Sequence, residues 1–412
     1  MLQDRPLTLD NDGMPANGKE IRVLLVSGGS GGHLIPAVTL ADALRSSARC
    51  FVLSTRRPVD RLLSEWSQDQ WTAVDLQPFA PIRKWFSPRA VSRQIRAIRE
   101  IAGLIRQARP DVVVGFGVYL SAVGLLIARV SRIPTVIHEQ NVVPGRANRW
   151  LAGWSDSVAL SFPQTRAFFA RSPHVEVTGN PIRFSGKAMD REAACRSFGF
   201  ESGRPVLLIV GGSQGSHAIN DLVVRMWEGI DPDRRLPIQV LHVAGSRESA
   251  QVEDGYRRLG MEARVFPFLY EFLPALSAAT VAVCRAGATS IAEMVAVGLP
   301  SILVPYPDPR IHQEENARWM EAVGGAVVLS QNTLTPQGLW REVDRVLFTP
   351  GLLDRMRQAL RACTEAAAGA SGGATTHLGA AAGASGGATT HLGAAASERL
   401  AQLVLRVAGG SS

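Results

Sequence analysis

At 412 residues the chain is too long for one ordinary core, and two domains are expected. Hydrophobic residues make up 46% of it, yet no uninterrupted apolar run approaches the ~20 residues that cross a bilayer, so a soluble globular protein is expected. The net charge of +8 resides in residues 1–181, which hold 22 Lys/Arg against 14 Asp/Glu, and no recognition motif accompanies it that would make nucleic acid an expected partner.

Residues 1–20 carry several acids and no apolar stretch; they resemble neither a signal nor a transit peptide and read as a disordered tail on a cytosolic protein. "IRVLLVS" (21–27) is a buried-strand pattern, and "PAVTLADALR" (36–45) predicts a helix with Pro36 at its favoured first position. Between them lies a glycine loop, Gly28, Gly29, Ser30, Gly31 and Gly32, ending in His33. Strand patterns continue at "RCFVLST", "PDVVVGFG", "PTVIHEQ" and "SVALSF". Among them, Phe79 to Arg109 holds eight basic residues and one acid, with Trp85 and Phe86 beside Arg83 and Lys84. That composition suits an anionic membrane surface, where each cation near the headgroups is worth ~1 kcal/mol. The alternative is a solvated helix face whose apolar stripe is Ile95, Ile98, Ile101, Leu104 and Ile105.

"GNPIRFSGKAMD" (179–190) interrupts the pattern and predicts a domain boundary. The order of strand, glycine loop and helix then returns at "PVLLIVGGSQGSHAINDLVVRMW" (205–227), followed by "IQVLHVAG", "EARVFPF", "TVAVCR" and "PSILVPYP". Apolar β-branched runs separated by helical segments predict α/β architecture: two tandem doubly wound, Rossmann-like domains with parallel sheets, 21–182 and 183–350. Ligands collect at the carboxyl ends of such strands, so domains facing each other would form a cleft between their glycine loops. Residues 351–412 are expected to be helical around a flexible insert, 366–393, in which "AAAGASGGATTHLG" occurs twice in succession. Cys50, Cys195, Cys284 and Cys363 form no CxxC pair, which speaks against a zinc site or disulfide framework.

Glycine loops that open helices favour diphosphates, because backbone N–H groups approach closely and the helix N-terminus carries partial positive charge. Neither loop offers the lysine of a P-loop. The second strand ends in Thr55-Arg56-Arg57 rather than in the acid that holds a dinucleotide ribose, although those arginines suit the extra phosphate of NADP and keep a reductase open. A sugar-nucleotide transferase fits His33 better: an imidazole titrates near neutrality and takes a proton from an attacking hydroxyl. A non-catalytic binder of sugar nucleotides or lipid diphosphates is the third reading.

"GGSGGHLIPA", "HEQNVVPGRANRWLA", "VTGNPIR", "VGGSQGS", "CRAGATSIAEMVAVGLPSILVPYP" and "HQEENA", in this order over about residues 21–345, resemble the successive signatures of the MurG family of N-acetylglucosaminyltransferases. The resemblance implies the GT-B fold and inverting transfer of GlcNAc from UDP-GlcNAc to the muramoyl 4-hydroxyl of lipid I, giving lipid II for peptidoglycan. It also implies a peripheral place on the cytoplasmic face of the cell membrane. A GT-B transferase with another lipid acceptor is the closest alternative.

Carried onto this chain, the resemblance makes His33 the catalytic base and puts Gly28 and Gly29 in the acceptor phosphate loop. The implied donor contacts are Ser30, Gly31, Gly32 and Asn141, with Arg183 and Ser213 facing the diphosphate and Leu269 reading the uracil edge. The helix start Ala288, Thr289 and Ser290 would meet the diphosphate as well, with Ile291 and Ala292 also among the donor contacts, Glu293 on the ribose, and Gln313 and Asn316 on the sugar hydroxyls. No cofactor or metal is called for in this scheme, because Arg183 and the helix terminus take up the charge of the leaving diphosphate. Glu314 and Glu315 depart from the aromatic or basic residues common in the family, and Ser30 from its threonine.

Overall fold

A computed structural model of the chain describes residues 20–55, 70–74, 76, 88–184, 189–212, 215–235, 237–369 and 391–410. Two compact units divide it: the first comprises residues 1–182 with 395–412, the second residues 183–394.

The first unit is built on a parallel sheet of β1 (Ile21–Val26), β2 (Ala48–Thr55), β3 (Trp71–Val74), β4 (Val112–Gly115), β5 (Thr135–Glu139), β6 (Ser157–Leu160) and β7 (Val175–Val177), in the order β3-β2-β1-β4-β5-β6-β7. Central β1 pairs with both neighbours, Leu24 standing opposite Phe51 on β2 and Val113 on β4. Its side chains alternate between two cores, as the period of two demands. Ile21, Val23 and Leu25 pack beneath α1 (Gly31–Leu44) and the C-terminal residues Leu400, Leu403, Val404 and Val407. Leu24 and Val26 pack on the other face, beneath α2 (Pro88–Ala108), α3 (Val118–Val130) and α4 (Arg146–Leu151). Burial on both faces explains why β1 reads as an unbroken apolar run, and each fully buried aliphatic side chain contributes about 1.5–3 kcal/mol.

The second unit repeats the plan with β8 (Val206–Val210), β9 (Gln239–Val243), β10 (Ala263–Phe266), β11 (Val281–Cys284), β12 (Ser301–Leu303) and β13 (Ala326–Val328), ordered β10-β9-β8-β11-β12-β13. Its helices are α5 (Arg191–Ser197), α6 (His217–Glu228), α7 (Pro232–Arg235), α8 (Ser249–Arg258), α9 (Leu273–Ala278), α10 (Ala288–Val297), α11 (Gln313–Ala322), α12 (Pro336–Phe348) and α13 (Leu352–Gly369). The last helix, α14 (His391–Ala408), enters the first unit from Ala395 onward, where Arg399 Nε donates to the Thr178 carbonyl at 3.1 Å. In each sheet strand order reverses at one point, between β1 and β4 and between β8 and β11, and the loops leaving those strands are where an α/β sheet binds its ligand.

One expectation is corrected. Helix α1 begins at Gly31, not at Pro36, because the His33 and Leu34 N–H groups both turn back to the Ser30 carbonyl, at 3.1 and 2.9 Å. Pro36 lies within the helix, where its missing N–H costs only a bond to the carbonyl of Gly32 in the first turn. His33 is therefore a first-turn helical residue, held more firmly than a loop histidine.

Candidate functional site

In the first unit the glycine loop leaves β1 and passes close to the segment after β4. A Cβ on Gly28 would stand 2.9 Å from Val118 Cγ2, so a side chain there would have to displace Val118. The Gly29 N–H donates to Thr55 Oγ1 at 2.9 Å, tying the loop to the end of β2. Ser30 is the N-cap of α1 without a side-chain capping bond, Gly31 is buried and Gly32 exposed.

His33 is half-buried, but its Nδ1 is enclosed and makes no hydrogen bond of good geometry. Burial lowers its pKa below 6.5, and the nearby Phe116 backbone and Gln140 side chain only partly oppose that. The imidazole is accordingly neutral at pH 7, as a base must be.

Behind it, β5 ends in His138 and Glu139 and is followed by Gln140, three buried polar residues that sequence reasoning passed over. Their signal was present in "HEQN", since charged and amide side chains closing a buried strand need internal partners. Glu139 Oε1 accepts from the Asn141 N–H at 2.9 Å and from Asn141 Nδ2 at 3.2 Å, while its Oε2 accepts from the Gly145 N–H at 3.1 Å and Asn148 Nδ2 at 2.8 Å. Burial raises the Glu139 pKa against these bonds. Asn141 is thus fixed at the head of the loop into α4, with its carbonyl accepting from Thr165 Oγ1.

The second unit gathers Arg183, Leu269 and Glu293. Arg183 Nε donates to Glu293 Oε1 at 2.9 Å, Nη2 to Oε2 at 3.4 Å and Nη1 to the Leu269 carbonyl at 3.2 Å, and the guanidinium lies 4.3 Å from the Phe272 ring centroid. Glu293 is 1% exposed, and the Arg183 fork is its buried ion-pair partner. Helix α10 starts at Ala288 behind Gly287, which offers no side-chain cap; Ala288 and Thr289 are buried, Ser290 half-buried, Ile291 buried and Ala292 half-buried.

Across the β8/β11 reversal, Arg285, a residue the sequence reading did not single out, donates through Nη2 to Ser216 Oγ at 2.8 Å and through Nη1 to the carbonyls of Val304 and Pro305. It joins the second glycine loop to the start of α10. Gln313 Oε1 accepts from the Tyr306 N–H at 2.9 Å, and Asn316, one turn on and fully buried, donates to the Ala286 carbonyl at 3.3 Å.

Ser213, Arg56, Arg57, Arg83, Lys84, Trp85 and Phe86 lie outside the described residues. A hollow of about 960 Å³ in the first unit opens at the β7 edge beside Leu403 and Val407 and touches none of the residues above.

The glycosyltransferase family 28 N-terminal domain matches residues 23–160, and the family's C-terminal domain residues 206–370. The UDP-N-acetylglucosamine–N-acetylmuramyl-(pentapeptide) pyrophosphoryl-undecaprenol N-acetylglucosamine transferase of Syntrophotalea carbinolica is 38% identical over 329 residues, covering 77% of this chain and 88% of the relative. The protein of the same name from Verminephrobacter eiseniae is 36% identical, covering 82% and 92%. The crystal structure of Acinetobacter baumannii MurG superposes with a TM-score of 0.64 at 25% identity, covering 84% of this chain and 95% of that one. These matches set aside the reductase reading. The two Rossmann-like sheets form a GT-B fold, and the chain belongs to the MurG family of N-acetylglucosamine transferases within glycosyltransferase family 28.

Proposed function

We propose that the protein transfers GlcNAc from UDP-GlcNAc to the muramoyl 4-hydroxyl of lipid I. His33 takes the proton of that hydroxyl; the oxygen attacks the anomeric carbon from the face opposite the diphosphate, so the configuration inverts. The bond from that carbon to the diphosphate oxygen breaks, and UDP departs with the electron pair. Arg183 and the α10 N-terminus at Ala288 stabilise the growing negative charge, while Glu293 accepts from the ribose and Leu269 presents its backbone to the uracil. The observation that carries the reading is the placement of His33 in the first turn of α1, directly after the glycine loop that leaves the carboxyl end of β1, in a chain of this family. Incubation with radiolabelled UDP-GlcNAc and lipid I tests it: lipid II is the expected product, and binding of the donor without transfer overturns it.

We further propose that the first unit lies against an anionic membrane surface, on the cytoplasmic side where the donor is available. No helix among the described residues is long and apolar enough to cross a membrane. The helices covering one face of the sheet expose apolar groups among arginines: Val91 and Ile95 on α2 beside Arg93, Arg96 and Arg99, Val130 on α3 beside Arg132, and Trp150 and Trp154 beside Arg149. That pairing suits the headgroup boundary, where aromatic and cationic side chains both gain.

A further inference from the structure

We propose that Gln140 is a positioning residue for His33: its amide oxygen, aimed by His138, holds the proton on His33 Nδ1 and leaves Nε2 as the basic nitrogen. This rests on the reading of His33 as the base.

Gly179 O can only accept, so His138 Nε2, 3.1 Å away, carries the proton of that ring. His138 is fully buried, and burial, with the neighbouring His33, holds its pKa down at about 4, so the ring is neutral and its Nδ1 is an acceptor. The Gln140 atom 3.1 Å from that Nδ1 must then be a donor, the amide nitrogen. The same nitrogen donates to the His138 carbonyl at 3.2 Å, which fixes the amide twice over. Gln140 Oε1 is consequently turned the other way.

Oε1 and His33 Nδ1 are both enclosed and neither meets a partner at full hydrogen-bond geometry, yet the Gln140 side chain acts on the His33 ring. Both flank Gly117: a Cβ there would stand 3.5 Å from Nδ1 and 3.6 Å from Oε1, and Gly117 has φ +77°, which suits the absent side chain. An amide oxygen only accepts, so it selects the Nδ1–H form of His33. The Phe116 backbone, also beside the ring, raises its basicity against the effect of burial. His138 is the titratable group that faces His33. A free histidine side chain prefers the proton on Nε2, so the protein reverses an intrinsic preference. The nitrogen that meets the acceptor hydroxyl thereby keeps its lone pair.

Nitrogen NMR of the full chain labelled with ¹⁵N-histidine tests this, the His33 signals being assigned by their loss in His33→Ala. At neutral pH the expected spectrum shows His33 Nδ1 protonated and Nε2 unprotonated. In Gln140→Leu the proton should shift toward Nε2, and kcat should fall on the order of 10²-fold, as for other losses of orientation at a catalytic group, with UDP-GlcNAc affinity unchanged. Protonated Nε2 on wild-type His33, or a tautomer and kcat indifferent to Gln140→Leu, overturns the proposal. The wild-type spectrum decides even where the leucine variant does not fold. Near-normal turnover of His33→Ala beside an Nδ1–H spectrum instead overturns the base reading and leaves the tautomer assignment standing.

Discussion

A base at residue 33 works only while its imidazole is neutral, and burial secures this by lowering its pKa from 6.5. The acid limb of kcat/KM is therefore expected to have its midpoint below pH 6.5; a midpoint above that value in a pH–rate profile contradicts the environment described for the ring. Glu293 has a double task. Glu293→Ala should weaken UDP-GlcNAc binding in calorimetry, and it also leaves Arg183 half-buried without its carboxylate, at a cost of about 3–5 kcal/mol for a broken buried pair. Unchanged donor affinity in the folded variant would remove Glu293 from the donor site. His33 and the glycines around it were legible in the sequence from residue type and spacing. The Arg183–Glu293 fork was not, because 110 residues separate its partners and no periodicity links them. His138 and Gln140 escaped for a related reason: their importance lies in which atom of a ring or amide faces which neighbour, and only coordinates carry that.

Among the elements, the strand, glycine loop and helix units stood out in the sequence because a parallel strand buried on both faces is an apolar run, and β1 and β8 are such runs. The start of α1 was misplaced because Pro36 is a strong first-position signal, while glycines carry no helical signal of their own. The second loop depends on close backbone approach. Gly215 has φ +77°, and a Cβ there would run into the Ala244 carbonyl. Gly215→Ala should lower stability by at least about 1–2 kcal/mol from backbone strain alone and impair donor binding with it; thermal unfolding coincident with the wild type would contradict that geometry. In helix α2, Ala97, Ile101 and Ile105 are core, while Val91 and Ile95, the latter expected in the apolar stripe, stay exposed among arginines. Reversal of Arg93 and Arg96 to Glu should release the protein from anionic vesicles at about 1 kcal/mol per charge, with a smaller effect at high salt. Sedimentation indifferent to the reversal would reduce that face to a solvated one.

Over the whole molecule, each sheet buries a neutral histidine: His138 in the first, His242 in the second, the latter bonded to Tyr256 and Asn220, with pKa values held down at about 4 and about 3. An unfolded chain binds those protons near pH 6.5, well before the folded one does. Stability from both residues is therefore complete above pH 6.5 and is lost as pH falls toward 4, by roughly 3 kcal/mol for His138 across that window. Urea midpoints should decline accordingly, and His242→Asn should flatten the decline; a slope identical to the wild type would contradict a buried neutral imidazole there. At this scale the fold was the most legible feature, since two repeats of one sequence pattern describe two sheets. The return of the C-terminal residues to the first unit is a matter of tertiary packing that an amphipathic pattern alone does not direct. The most direct measurement is transfer of radiolabelled GlcNAc from UDP-GlcNAc to lipid I by the wild type and by His33→Ala, with donor affinity measured alongside. A loss of turnover of ~10²–10⁴ with donor binding intact is expected of a general base, whereas near-normal turnover would contradict the central role of His33.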